Sequence, residues 1–205
     1  MTIAIRTSDN VVFVSAPEVF MDTRGTYFGG NTYIFINTSN AVIVENVNAP
    51  APFVPGAYTY DSKTGTFAII DQALLDAENV LLTQQAQNSK IASLAASCAA
   101  AITAGFTSSA LGNVYTYPSQ LTDQQNLAAS VLSSLLPSLP TGWATPQLCM
   151  SATGVWAYVN HTAAQIQQVG SDGKTAVLAA LIHKQTLVGA VMAATTVAQV
   201  NAINW

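Results

Sequence analysis

The sequence predicts an α+β protein: a small N-terminal antiparallel β domain, a long connecting helix, and a C-terminal domain of two β-hairpins packed with helices. Three observations predict it. The first seventy residues hold about six short β-branched runs separated by turn residues. Residues 77–102 place apolar side chains at helical spacing, with no Gly or Pro among them. Beyond Gly105, two hairpin signatures are each followed by a helix-start box. Domain limits at 1–70, 71–104 and 105–205 follow.

The elements come in this order. Residues 2–6 (TIAIR) and 11–15 (VVFVS) alternate around Ser8-Asp9-Asn10 and predict a hairpin. Residues 26–37 and 41–46 predict a second pair around Thr38-Ser39-Asn40. Residues 48–55 carry three prolines, too many for a central strand, and predict an ordered extended linker or edge. Residues 57–61 and 66–70 flank a third hairpin turn, Ser62-Lys63-Thr64-Gly65.

A helix then runs from Gln72 to Thr103, about 48 Å at 1.5 Å per residue. Gly105 ends it. Gly112-Asn113 predicts a two-residue hairpin loop, because both types tolerate positive φ. Thr122-Asp-Gln-Gln125 predicts a capping box, with its helix stopping before Pro137. The scheme recurs. A loop over 137–146 carries Trp143, and Thr153-Gly154 turns a second hairpin. Thr162-Ala-Ala-Gln165 starts a helix reaching about Ala194, with Gly170 and Gly173 as weak points, and Thr196-x-x-Gln199 caps a short last helix. The two hairpins are expected to join in one sheet.

The connecting helix has one stripe of interest: Ala77, Leu81, Gln84, Asn88, Ile91, Ala95, Cys98 and Ile102. Gln84 and Asn88 interrupt its apolar line. In a bundle of identical helices, buried amides at such places fix register and oligomer state. On a surface helix they are simply solvated. Leu81, Gln84, Asn88, Ile91 and Ala95 are therefore the candidate oligomer seam.

Only 8% of residues are charged, against about 25% in ordinary soluble proteins. The net charge of −4 gives no reason to expect a nucleic-acid or acidic-lipid partner. Mean hydropathy is +0.35. Either a membrane protein or a chain buried against other subunits would explain that value. The most apolar helical stretch, 177–200, contains His183, Lys184 and Gln185, so no membrane insertion is expected. The first residues lack a signal-peptide pattern, and synthesis in a cytoplasm is expected. Cys98 and Cys149 lie far apart in apolar contexts and are expected as buried free thiols.

No catalytic constellation is legible, and the sequence predicts no enzyme. His161 adjoins a helix cap and His183 lies within a helix; no HExxH, CxxC or HxH spacing provides a metal site. Asp61, Asp71, Asp76 and Glu78 gather where the long helix begins, as its dipole favours. No GxSxG, P-loop or GxGxxG occurs, and no cofactor is expected. Tyr115, Tyr117, Trp143, Trp156 and Tyr158 concentrate around the two hairpins. Such a cluster is either the core of a small sheet or an aromatic surface for sugars.

The run CAAAITAGFTSSALGNVYTYPSQLTDQQNL (98–127), followed by Trp143, Gly154-Val-Trp156, Thr162-Ala-Ala-Gln165 and a closing ATTVAQVNAINW, resembles a domain of unknown function. That domain recurs in tail and tail-fibre proteins of tailed bacteriophages. The resemblance covers roughly residues 85–205, and its most specific part is I-x-x-GF-x-S-x-ALG…Y-x-Y…DQ-x-NL. It implies a virion protein, made in the host cytoplasm and located in the tail. The expected role is structural, at the baseplate or at fibre attachment, through assembly with itself, as a trimer by preference, and with other phage tail proteins. Two other functions stay open: a fibre-assembly chaperone absent from the virion, and a host-surface module recognising glycans. The resemblance carries no catalytic residues across.

Overall fold

The computed structural model describes residues 2–6, 12–16, 19–22, 25–28, 33–34, 41–51 and 53–205. The chain is mixed α and β, as its patterning predicts, and forms two compact units, 1–85 and 86–205.

Among its described residues the first unit holds eight strands: β1 (Thr2–Arg6), β2 (Val12–Ala16), β3 (Val19–Asp22), β4 (Gly25–Phe28), β5 (Tyr33–Ile34), β6 (Ala41–Val44), β7 (Tyr58–Asp61) and β8 (Thr66–Ile69). They form three small antiparallel sheets, ordered β2-β1-β6, β3-β4-β5 and β7-β8. Ile3, Ile5 and Val12 meet Val47, Ala57, Tyr58, Tyr60 and Leu75 in one core. Phe53 stacks on Tyr58 at 5.6 Å, which fixes the proline-rich segment against that core. Gly65 supplies the positive φ of +71° that the β7–β8 turn requires. Lys63 N–H donates to Asp61 Oδ1 in the same turn at 2.8 Å, and this bond lowers the carboxyl's pKa.

One expectation fails here. Residues 26–37 are not one strand paired with 41–46. β4 pairs back on β5, and β6 pairs with β1. Gly29-Gly30-Asn31 has turn chemistry inside the run, and glycines weaken a strand interior. The strand β3 has no counterpart in the sequence reading. The proposed turns at Ser8–Asn10 and Thr38–Asn40 lie outside the described residues.

Helix α1 spans Gln72–Thr103. Asp71 Oδ1 accepts from Leu74 N–H at 3.1 Å and satisfies one of the free donors at its start. The helix ends where Gly105 takes φ +104°, with the Tyr117 carbonyl so near that a Cβ would lie 2.6 Å from it.

The second unit continues with β9 (Phe106–Ser108), β10 (Tyr115–Tyr117), α2 (Leu121–Ser134), β11 (Ala144–Met150), β12 (Trp156–Thr162), α3 (Ala163–Ala193) and α4 (Val197–Ala202). Both hairpins join in one sheet, ordered β12-β11-β10-β9. The first hairpin is looser than predicted. Tyr115 pairs with Ser108, so the loop spans 109–114 and only Gly112 takes positive φ, not Asn113. The predicted Thr122 cap is displaced too. Gln120 occupies the N-cap, and Asp123 Oδ2 accepts from its backbone N–H at 2.9 Å. Gln120 Nε2 also donates to the Thr103 carbonyl at 3.1 Å, tying the end of α1 to the start of α2. The Thr162–Gln165 box forms as read, and Thr196 caps α4.

Gly170 and Gly173 are contact points on α3. A Cβ at Gly170 would sit 2.7 Å from Val131 Cγ2, and one at Gly173 would sit 2.8 Å from Phe106 Cζ. Their missing side chains let α3 seat on α2 and on β9. Phe106, Tyr117, Leu127, Cys149, Ile166 and Val169 form the core beneath. A second cluster joins Leu94 of α1 to Val191 and Val200.

Candidate functional site

His161 is fully buried beside Tyr117, which is 1% exposed. The Val159 carbonyl can only accept, so His161 Nδ1 carries the proton and donates to it at 2.8 Å. Burial lowers the histidine pKa, keeping the ring neutral. Its bare Nε2 then accepts from Tyr117 O–H, also at 2.8 Å. Phe106 stacks on the other side of Tyr117 at 5.5 Å. Burial raises the Tyr117 hydroxyl and the Cys149 thiol above their ordinary values. All three groups favour their neutral forms, and none is open to a substrate. This arrangement is a satisfied polar core. Sequence reading missed it because His161 and Tyr117 are 44 residues apart.

The candidate aromatic surface divides by strand parity. Tyr117 is buried, while Tyr115 and Trp143 pack against the same core. Trp156 and Tyr158 alternate onto the opposite face of β12 and are 47% and 73% exposed. Tyr117 therefore leaves the surface set, and Trp156 and Tyr158 remain.

The candidate seam divides as well. Leu81, Gln84, Asn88 and Ala95 are exposed. Ile91 is part-buried, packed on the Leu94–Val191–Val200 cluster. Cys98 is buried, and its thiol reaches the Ala180 carbonyl at 3.6 Å. The amide that α1 does turn inward is Gln87. Its Nε2 donates to the carbonyls of Val191 at 3.1 Å and Ala194 at 3.0 Å, at the end of α3 where the helical ladder runs out.

Helix α3 exposes much apolar surface. Of its 31 residues only Ile166, Val169, Gly173 and Val191 are buried. Leu178, Leu181, Ile182 and Met192 are 43%, 37%, 61% and 62% exposed. By length and composition α3 is apolar enough to cross a membrane. Covering those four side chains is worth roughly 3–6 kcal/mol before the cost of association.

A groove of about 350 Å³ lies between α2 and β11. Asp123, Asn126 and Ser130, three and four residues apart, line its helical wall, and Tyr158 stands at its rim. Among the described residues, no three His, Cys, Asp or Glu side chains gather as a metal site.

Residues 85–204 match the family described as a domain of unknown function (DUF4376). The chain belongs to this family. The match runs from the middle of α1 through α4, and so covers the whole C-terminal sheet and its helices. No curated protein and no solved structure matches the chain.

Proposed function

We propose that this DUF4376 protein is a structural subunit of a bacteriophage tail, at the baseplate or the fibre attachment, acting through protein–protein assembly. The observation that carries the proposal is the uncovered apolar surface of α3 in a chain with only 8% charged residues. Apolar patches of this kind mark surfaces that a partner covers. The residue pattern of 98–127 and its likeness to tail proteins supplies the phage context. Leu81, Gln84, Asn88 and Ala95 on α1 are also exposed and available for self-association.

Two measurements test the proposal. Mass spectrometry of purified particles should find the chain at the abundance of a structural subunit. Its absence would point to an assembly chaperone instead. Ultracentrifugation should show an oligomer, a trimer by preference, that Ile182→Asp weakens. Ile182 is the better target than Ile91, because Ile91 packs within its own unit. A chain that stays monomeric alone and is missing from the particle sinks the reading. Flotation with lipid vesicles checks the other partner that α3 suits. Lys184 lies in its apolar half, and a lysine at a bilayer centre costs about 2.5–3.5 kcal/mol. The chain should therefore stay with the protein fraction.

A further inference from the structure

We propose that the groove between α2 and β11 binds a single neutral pyranose unit of a glycan. The inference rests on a buried amide and an open strand edge. Gln147 is 6% exposed and lines the groove, yet among the described residues no protein group hydrogen-bonds its side chain. Buried polar groups are almost always paired, so an unpaired one facing a cavity marks a place for a ligand.

The strand edge is open because β10 meets β11 at one position, Thr116 with Met150. Ser151 N–H bonds the Val155 carbonyl at 3.0 Å, which sets the alternation along the β11–β12 ladder. Residues 147 and 149 face β12 with their backbone groups, and Pro146 and Leu148 face away from it, toward α2. The Leu148 N–H and C=O and the Pro146 C=O thus border the edge of the groove that Gln147 also lines.

The lining selects the ligand class. Asp123 is the only charged group lining the groove, and a carboxylate disfavours phosphates and acidic sugars. Pro146 lacks the N–H that an added peptide strand would need in the middle of the edge. The amides of Gln147 and Asn126 and the Ser130 hydroxyl both donate and accept, which matches the hydroxyls of a sugar. Asp123 uses Oδ2 on the Gln120 backbone and keeps Oδ1 for a hydroxyl donor. Tyr158, 73% exposed at the rim on the sheet face opposite to Gln147, offers its ring to the C–H face of a pyranose that lies across the strand edge. The volume of about 350 Å³ suits one ring and its nearest substituents.

The test is a titration of the full chain, nitrogen-15 labelled, with the methyl glycosides of glucose, galactose, mannose and N-acetylglucosamine. At least one should shift the Leu148 N–H and the Asn126 side-chain amide, with a Kd on the order of 1 mM. Tyr158→Ala should weaken that sugar at least about tenfold. Gln147→Leu should abolish binding while the thermal midpoint holds or rises, since it removes an unpaired buried amide. Trp156→Ala, exposed on the same strand but outside the groove, should bind as wild type. Silence with all four sugars overturns the proposal. So do shifts that map away from the groove and survive both Tyr158→Ala and Gln147→Leu. Neither result touches the tail-subunit reading, which rests on α1 and α3.

Discussion

Gly173→Ala should destabilise the protein although it lies inside a helix, where alanine normally stabilises by about 1 kcal/mol. The reason is local. A Cβ at position 173 would meet three atoms of the Phe106 ring, at 2.8, 3.0 and 3.3 Å. The ring cannot give easily, because it is stacked on Tyr117 and Tyr117 is held by His161. Overpacking of this kind costs about 1–3 kcal/mol. Set against the propensity gain, the net loss is about 1 kcal/mol, or about 2–4 °C in Tm for a chain of this size. Gly189→Ala is the internal control. It lies in the same helix with nothing within 4 Å of its would-be Cβ, and should stabilise by about 0.5–1 kcal/mol. Thermal and urea unfolding followed by circular dichroism would measure both. Phe106→Leu combined with Gly173→Ala should cost less than the two single changes together. Equal stabilisation by both glycine substitutions would refute the close packing of α3 on β9.

Thr162→Ala should cost about 1 kcal/mol through loss of its cap, and Thr122→Ala only a few tenths, since Gln120 and Asp123 start that helix; urea midpoints would rank them. Stability should be level above about pH 6.5 and fall below it, because the folded state holds His161 below its ordinary pKa and the unfolded chain takes the proton first. The slope is at most about 1.4 kcal/mol per pH unit for one group, and unfolding titrations of His161→Gln should lack it. Cys98 and Cys149, 3% and 1% exposed, should resist thiol reagents in the native protein and react in denaturant; prompt native labelling of both would count against their burial.

Local signals were legible and distant pairings were not. The end of helix α1 was readable because Gly105 follows it, whereas Asp71, which caps its start, was read only as a residue the dipole favours. Thr162 and Thr196 were readable as caps, also from local residues. Thr122 misled because Asp123 competes at close range, and a carboxylate is a strong acceptor near a helix start. The β1–β6 pairing was not legible, since no local feature tells residues 41–44 to seek residues 3–6. The inward line Gln87, Ile91, Leu94, Cys98 was not legible, because the helix is rich in alanine on every side and hydrophobic spacing could not distinguish it from its neighbour. The groove was partly legible: Tyr158 was named among the aromatics, but Gln147 shows its meaning only when β10 leaves β11 uncovered.

The C-terminal sheet has an order, β12-β11-β10-β9, in which every strand lies beside its neighbour in sequence. No strand has to wait for a distant partner, and the Gln120–Thr103 bond closes a segment of only 17 residues around the first hairpin. Loop-closure entropy is small for such contacts, and local topologies fold fast. A growing chain can complete β9, β10 and the start of α2 soon after they leave the ribosome. The later hairpin and α3 then add to a template already in place. The apolar surface of α3 is therefore made after the first hairpin and α2, and it is presented by a unit whose earlier part is already folded. Copies meeting in a crowded cell would join as finished pieces, which lowers the risk of strands exchanging between half-made neighbours.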